Sequence, residues 1–149
     1  TTYYVRAFAK YAGDRVEYGQ QRTFTTMLPL PTFEYGGCTY YVAPDPGNQM
    51  NWSNANSYCN NLSIYGLSGW RLPTKEELVQ MYVERNSIGG FGYSQYYDWG
   101  LYWSKTYYGQ VNNYGEIHDA YYSVRFYNGN IGYSWEENCL SVRPIRRVN

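Results

Sequence analysis

GWRLPTKEEL, residues 69–78, carries the signals for the start of a helix. Pro73 disfavours the α region for the residue before it, so the chain should reach the helix in an extended conformation. Thr74 is placed to cap the helix, and Glu77, three residues later, completes a capping box. Glu76 and Glu77 also lie where the positive end of a helix dipole favours acidic side chains. The stretch therefore predicts a helix that begins directly after Thr74.

A second helix is predicted upstream of this stretch. Asn51 can cap it, and apolar residues at helical spacing follow as Trp52, Ala55, Cys59 and Leu62. The helix after Thr74 has its own inward-facing set at the spacing i, i+3 and i+4, namely Leu78, Met81 and Tyr82. A glycine-rich segment, residues 87–92, then predicts a flexible loop.

The remaining sequence favours strands. Asn128-Gly129 is a strong hairpin signal between two of them. The predicted order is one strand, then two helices, then several antiparallel strands. This order indicates the α+β class. The predicted strands are residues 39–42, 101–108, 120–126, 131–135 and 140–148.

Residues 1–26 predict a β-hairpin with its turn at Gly13-Asp14. Tyr3, Val5, Ala7 and Ala9 alternate on one face, as in a half-buried strand. A lone hairpin is marginally stable in water, so this one must pack on the rest of the chain, on a missing domain or on a neighbouring molecule. The segment resembles the last two strands of a fibronectin type III domain, with Tyr3 at the tyrosine corner. Residues 27–32 predict a short, proline-stiffened linker.

Composition excludes several classes of partner. Twelve basic residues balance twelve acidic ones, which argues against binding to nucleic acid or to an anionic membrane through bulk charge. No segment approaches the ~20 apolar residues of a membrane span, so no membrane insertion is expected. The chain has twenty-one tyrosines. Two explanations are open: the tyrosines form a binding surface, as in antibody paratopes, or they are present because tyrosine favours strands.

Three motifs together resemble the Lcl C-terminal family of bacteria. They are WRLPT at 70–74 with acidic residues after it, YWS at 102–104 and VRPIR at 142–146. The resemblance covers about residues 33–149 and implies a C-type-lectin-like fold for this domain. It also implies a disulfide between Cys59 and Cys139, two buried free thiols being the alternative. Cys38 is then left over.

The same fold includes formylglycine-generating enzymes, which raises an enzyme hypothesis. Those enzymes use a closely spaced cysteine pair that binds copper, and no two cysteines of this chain lie within twenty residues of each other. The sugar-binding motifs of calcium-dependent lectins are also missing. His118 is the single histidine, so a zinc site is not expected. The sequence thus predicts no catalytic site, metal or cofactor.

Residues 107–134 are rich in Tyr, Asn and Ser, the residues of adaptable binding surfaces. Strand alternation places Val124 and Phe126 on one face. If that face meets the core, the other row, with Tyr121, Ser123 and Arg125, faces solvent. In the family's fold this region is the ligand face. The residues that we expect to bind ligand are Tyr107, Tyr108, Asn112, Asn113, Tyr114, His118, Tyr121, Ser123, Arg125, Tyr127 and Asn128.

The leading expectation is a non-enzymatic, adhesion-type module of an extracellular or bacterial cell-surface protein. It would bind a glycan or a protein without metal. The resemblance also raises diversification by a retroelement, since related domains are varied in this region. The alternative is a structural subunit of a fibre or pilus, which would self-assemble by strand addition through the amino-terminal hairpin.

Overall fold

A computed structural model describes residues 2–13, 15–25, 29–92 and 100–148. Within these ranges the helices are α1 (Trp52–Asn61), α2 (Lys75–Val83) and α3 (Arg85–Ile88). The strands are β1 (Thr2–Val5), β2 (Phe8–Lys10), β3 (Val16–Tyr18), β4 (Arg22–Thr25), β5 (Thr32–Tyr35), β6 (Cys38–Val42), β7 (Leu101–Asn113), β8 (Glu116–Arg125), β9 (Ile131–Trp135) and β10 (Ile145–Arg147).

The predicted α+β class is confirmed. Two open antiparallel sheets, β10–β6–β5 and β7–β8–β9, accompany the helices. In the amino-terminal segment β1 pairs with β4 and β2 with β3, which is the predicted hairpin divided into two ladders. Strands β7 and β8 are longer than predicted and continue as an arm to a tight turn at Tyr114-Gly115.

Both main helices begin where the sequence predicts. Asn51 caps α1, and its side chain accepts a hydrogen bond from the Asn54 amide at 2.9 Å. Thr74 caps α2 through the Glu77 amide at 3.1 Å, while the Glu77 carboxylate accepts from the Thr74 amide at 2.7 Å. The capping box is therefore complete, and it satisfies two backbone donors that the first helical turn leaves unpaired.

Two hydrophobic clusters cover opposite faces of the β7–β8–β9 sheet at its base, the end where β7 begins. Tyr102 belongs to the cluster under α2, with Leu78 and Phe126. Trp103 belongs to the cluster under α1, with Cys59. Since neighbouring strand residues point to opposite faces, this part of the sheet is buried on both sides. Burying each large apolar side chain contributes about 1.5–3 kcal/mol, so the base is the stable part of the fold.

The predicted Cys59–Cys139 disulfide is wrong for this structure, in which both thiols are free. Cys59 lies on the buried face of α1, whereas Cys139 is exposed. Leu140, the next residue, is the one that enters the core, and its backbone pairs with Met50. The main chain therefore directs Cys139 outwards, away from Cys59. Cys38 is a half-buried free thiol.

Residues 87–92 are not the flexible loop that their glycines predict. Ile88 and Phe91 are buried in the core cluster under α2. Arg143 donates from its two terminal nitrogens to the carbonyl oxygens of Gly89 and Gly90, at 2.8 and 2.6 Å. A side chain distant in sequence thus fixes this segment.

The amino-terminal hairpin differs from its half-buried prediction. Val5 is 50% exposed, and Ala7 and Ala9 are exposed as well. The Tyr3 side chain and Asp14 lie outside the described residues, as does part of the predicted linker. Thr32, assigned to that linker, already belongs to β5.

Candidate functional site

The candidate site is the outer half of the β7–β8–β9 sheet, where the strands leave the core. The register of β7 against β8 shifts between Trp103 and Tyr107 and again between Tyr107 and Gly109. Beyond these shifts the β7–β8 arm runs to its turn, where Tyr114 and Gly115 both have positive φ, 50° and 94°. Such a two-residue turn matches the twist of a hairpin, and it leaves the Tyr114 side chain fully exposed.

Three tyrosines form a cluster on one face of the outer sheet, which we call the tyrosine platform: Tyr108, Tyr122 and Tyr133. Tyr108 and Tyr133 stack with ring centroids 4.3 Å apart, and Tyr122 meets Tyr108 edge to face at 5.2 Å. The Lys75 ammonium lies 4.6 Å above the Tyr122 ring, within cation–π distance. Tyr108 and Tyr133 are 46% and 44% exposed, so the platform is ordered and open to solvent.

The opposite face carries a second aromatic group. Trp52 and Tyr121 stack at 3.7 Å, and Tyr107 meets Tyr121 edge to face at 5.4 Å. Trp52 donates from Nε1 to the Ser104 carbonyl, which fixes its ring. The Tyr107 hydroxyl donates to Asp119 Oδ1 at 2.6 Å, and this hydrogen bond raises the pKa of Tyr107 to about 12. Tyr107 is therefore a neutral donor held by a carboxylate.

His118 is anchored rather than projecting. Its ring stacks on Trp135 at 4.4 Å, and Nδ1 lies 3.2 Å from Glu137 Oε1. Its Nε2 is 3.8 Å from Glu116, beyond hydrogen-bond reach. A hydrogen bond from its own backbone amide lowers the pKa of the Glu137 carboxyl most, and the hydrogen bond with His118 lowers it further. The imidazole thus lies between two carboxylates.

The asparagines of the predicted site support turns. Asn112 Oδ1 accepts from the Gly115 amide at 2.9 Å, and Asn128 Oδ1 accepts from the Asn130 amide at 3.0 Å. Asn113 is half-buried at the end of β7, and Tyr127 is 51% exposed beside the β8–β9 turn.

The prediction that the Ser123 row faces solvent is wrong. Ser123 is 1% exposed and lies 3.2 Å from the Ser134 hydroxyl, itself buried. Tyr121 and Arg125 are half-buried. The reason is that α1 and the cluster under α1 cover the face with Ser123. Burial of Val124 on one face of β8 therefore does not mean that the residues on the other face are exposed.

Of the predicted residues, the structure places Tyr108 in the tyrosine platform and Tyr107 and Tyr121 in the aromatic group on the opposite face, with Tyr114 and Tyr127 at separate turns. Sequence analysis missed four residues of these two groups: Tyr122, Tyr133, Lys75 and Trp52. Tyr133 pairs directly with Tyr122 across β8 and β9. A two-residue turn at Asn128-Gly129 would pair Tyr122 with Trp135, whereas in the structure Arg125 pairs with Asn130 and Tyr122 lies opposite Tyr133, so the turn gave no usable signal for Tyr133. Strand pairing gives no signal for Lys75 either, because it comes from a different element.

Within the described part of the chain, no group of three or more His, Cys, Asp or Glu side chains could hold a metal ion. In the same residues, no helix is both long enough and apolar enough to cross a membrane.

In a comparison with protein families, residues 31–146 match the Lcl C-terminal domain. The chain belongs to this family. The match confirms the resemblance carried by the WRLPT, YWS and VRPIR motifs, and Lcl C-terminal membership suggests a surface-associated domain. No curated protein matches the chain significantly.

Proposed function

We propose that this Lcl C-terminal domain is a non-enzymatic binding module, which holds a glycan or protein ligand on the tyrosine platform without metal. The observation that carries the proposal is the platform itself. Tyr108 and Tyr133 are stacked on each other yet nearly half exposed, on a sheet whose base is buried on both faces.

Preorganisation is the physical argument for this role. Ordering side chains on binding costs about 0.5–1.5 kcal/mol for each rotamer-rich group, and here the contacts among the rings already restrict them. Tyrosine offers a large apolar face for sugar C–H groups or apolar side chains, together with a hydroxyl that donates and accepts. Lys75 and its salt-bridge partner Glu76, 3.2 Å apart, add charge next to the rings.

The proposal extends to the setting of the domain. We place it in an extracellular or bacterial cell-surface protein, with a C-type-lectin-like fold, behind a fibronectin type III-like segment. Variation by a retroelement is compatible with the exposed β7–β8 arm. A template repeat and a reverse transcriptase next to the coding region would support that element of the proposal.

Glycan and protein arrays test the main proposal. We expect a ligand whose affinity falls at least about tenfold in Tyr108→Ala and in Tyr133→Ala, because each change removes one half of the stacked pair. Tyr18→Ala is the matched control, since Tyr18 is 66% exposed on the amino-terminal hairpin and is not a member of the platform. If every detected ligand binds both platform variants as tightly as the unmodified chain, the platform is not the binding site.

A structural subunit is the second candidate, favoured by the amino-terminal hairpin. Phe8 and Tyr18 pair across β2 and β3 and are 68% and 66% exposed. Together with the unpaired strand edges, they suit strand addition between chains. Light scattering against concentration tests this role. We expect oligomers that are lost in Phe8→Ser/Tyr18→Ser, and a monomer at every concentration would refute it.

A further inference from the structure

A groove lies apart from both aromatic groups, between the loop after β6 and the segment after α3. Two adjoining hollows of about 240 and 390 Å³ form it. Both hollows are lined by Asp45 and Gly90. We call it the Asp45 groove. Each hollow by itself lies near the lower end of the volumes of pockets for drug-sized molecules, so each suits a small ligand.

The carboxylate of Asp45 is held in place by protein donors. Oδ1 accepts from the Gly47 amide at 2.8 Å, and Oδ2 accepts from the Tyr102 hydroxyl at 2.9 Å. Burial raises the pKa of Tyr102, so this hydroxyl keeps its proton and remains a donor. Each carboxylate oxygen retains further acceptor capacity for a ligand hydroxyl.

Among the described residues, two buried donors in the wall of the groove have no hydrogen-bond partner: Gln49 Nε2 and Arg143 Nε. Gln49 lines the first hollow and Arg143 the second. Arg143 is only 4% exposed, and its guanidinium lies 4.6 Å from the centre of the Phe91 ring. A buried donor without a partner loses its hydration without compensation, so such groups are rare in folded proteins and require an explanation.

We infer that the Asp45 groove binds a neutral polyhydroxylated ligand of the size of one sugar ring. Both nitrogens are buried in the wall of the groove, so the inference includes a small shift of that wall which uncovers one of them. A ligand hydroxyl can then accept from Gln49 Nε2 or Arg143 Nε and can also donate to Asp45, which no simple acceptor does. The site is separate from the tyrosine platform and does not depend on the function proposed there.

An anion fits this groove less well. Carbonyl oxygens already hold both terminal nitrogens of Arg143, at 2.6 and 2.8 Å, which leaves Nε as the nitrogen without a partner. The Asp45 carboxylate also acts on Arg143 electrostatically, so an incoming carboxylate or phosphate meets a like charge. A neutral hydroxyl group avoids this repulsion.

Gln49→Met gives the sharpest test, because methionine has nearly the same shape without the amide. Since Gln49 Nε2 has no partner among the residues that the structure describes, its removal should leave the melting temperature equal or higher. Titration by NMR with glucose, galactose, mannose and myo-inositol should show at least one with a dissociation constant on the order of 1 mM. We expect Gln49→Met to weaken that ligand at least tenfold.

The control variant is Tyr108→Ala, which should bind these probes as the unmodified chain does, even if the platform function is lost. Inorganic phosphate and acetate serve as anionic probes and should not displace the sugar. The inference is overturned if none of the neutral probes binds, if phosphate or acetate binds more tightly, or if Gln49→Met binds equally well. A crystal structure that shows only ordered water at Gln49 and Arg143, in the presence of the best probe, overturns it as well.

Discussion

Replacing Glu77 by glutamine should destabilise the domain by removing one charge from a buried pair. The Glu77 carboxylate is 5% exposed and accepts from Arg71 Nη1 and Nη2, both at 2.7 Å, in addition to the Thr74 amide. Glutamine keeps one oxygen, so it can retain the bond to Thr74 while it places an amide group against the Arg71 guanidinium. Hydrogen bonds to charged groups contribute about 1.5–3 kcal/mol each.

We expect a loss of about 2–3 kcal/mol in the free energy of unfolding for Glu77→Gln. The value lies below the upper range for a buried pair because the Arg71 side chain is 31% exposed and recovers some hydration. For a domain of this size the loss corresponds to a melting temperature about 5–10 °C lower. Urea denaturation gives the free energy, and circular dichroism gives the melting temperature.

The dependence on pH tests the electrostatic origin of this loss. Burial raises the pKa of Glu77, but hydrogen bonds from Arg71 and Thr74 outweigh burial and hold it below the usual 4.5. A lowered pKa means that the stabilisation is complete above pH 4.5 and disappears as the pH falls through the native value. The difference between the unmodified chain and Glu77→Gln should therefore shrink as the pH is lowered from about 5 towards about 2.

Glu76→Gln is the matched control for this experiment. Glu76 lies in the same helical turn, but its side chain is 49% exposed and forms an ion pair with Lys75 at 3.2 Å. Exposed pairs of this kind contribute about 0–1 kcal/mol, so the control should change stability little. A loss below about 0.5 kcal/mol for Glu77→Gln, or the same loss at neutral and acidic pH, would refute the assigned role of the pair.

Gly129→Ala should cost at least about 1–3 kcal/mol in urea denaturation, because φ is +78° and an added Cβ would overlap the Tyr82 ring. Gly132→Ala, where no atom is near, should be close to neutral, and equal losses would contradict the steric explanation. Iodoacetamide should label Cys139 in the native protein and spare Cys59, whose burial raises its thiol pKa to about 12. Mass spectrometry without reductant identifies which cysteines carry the label. Rapid labelling of Cys59 would contradict its burial and show that α1 detaches from the core.

Local chemistry made the helices predictable. The caps Asn51 and Thr74 and the spacing of Ala55 and Cys59 act within a few residues, so the sequence shows them directly, and both helices begin as predicted. The WRLPT family motif belongs to the buried core, since its Trp70 is 1% exposed.

Contacts between distant segments could not be predicted. Arg143 holds Gly89 and Gly90 from more than fifty residues away. The glycine content of the segment does not show this contact, so it led to the prediction of a flexible loop. Alternation separated the faces of β8 correctly, but it does not show that α1 covers the Ser123 face. Lys75, at the start of α2, lies over Tyr122 for the same reason: packing between elements places it there.

The register shifts between β7 and β8 divide each of these two strands into two parts that differ in their tolerance to mutation. Before the shifts, Tyr102 and Trp103 are fully buried, so few substitutions are acceptable there. Beyond them, no side chain in residues 110–117 is fully buried. A random library over 110–117 should thus yield mostly folded proteins with many different surfaces. Such a domain can acquire new binding properties while its core sequence stays constant.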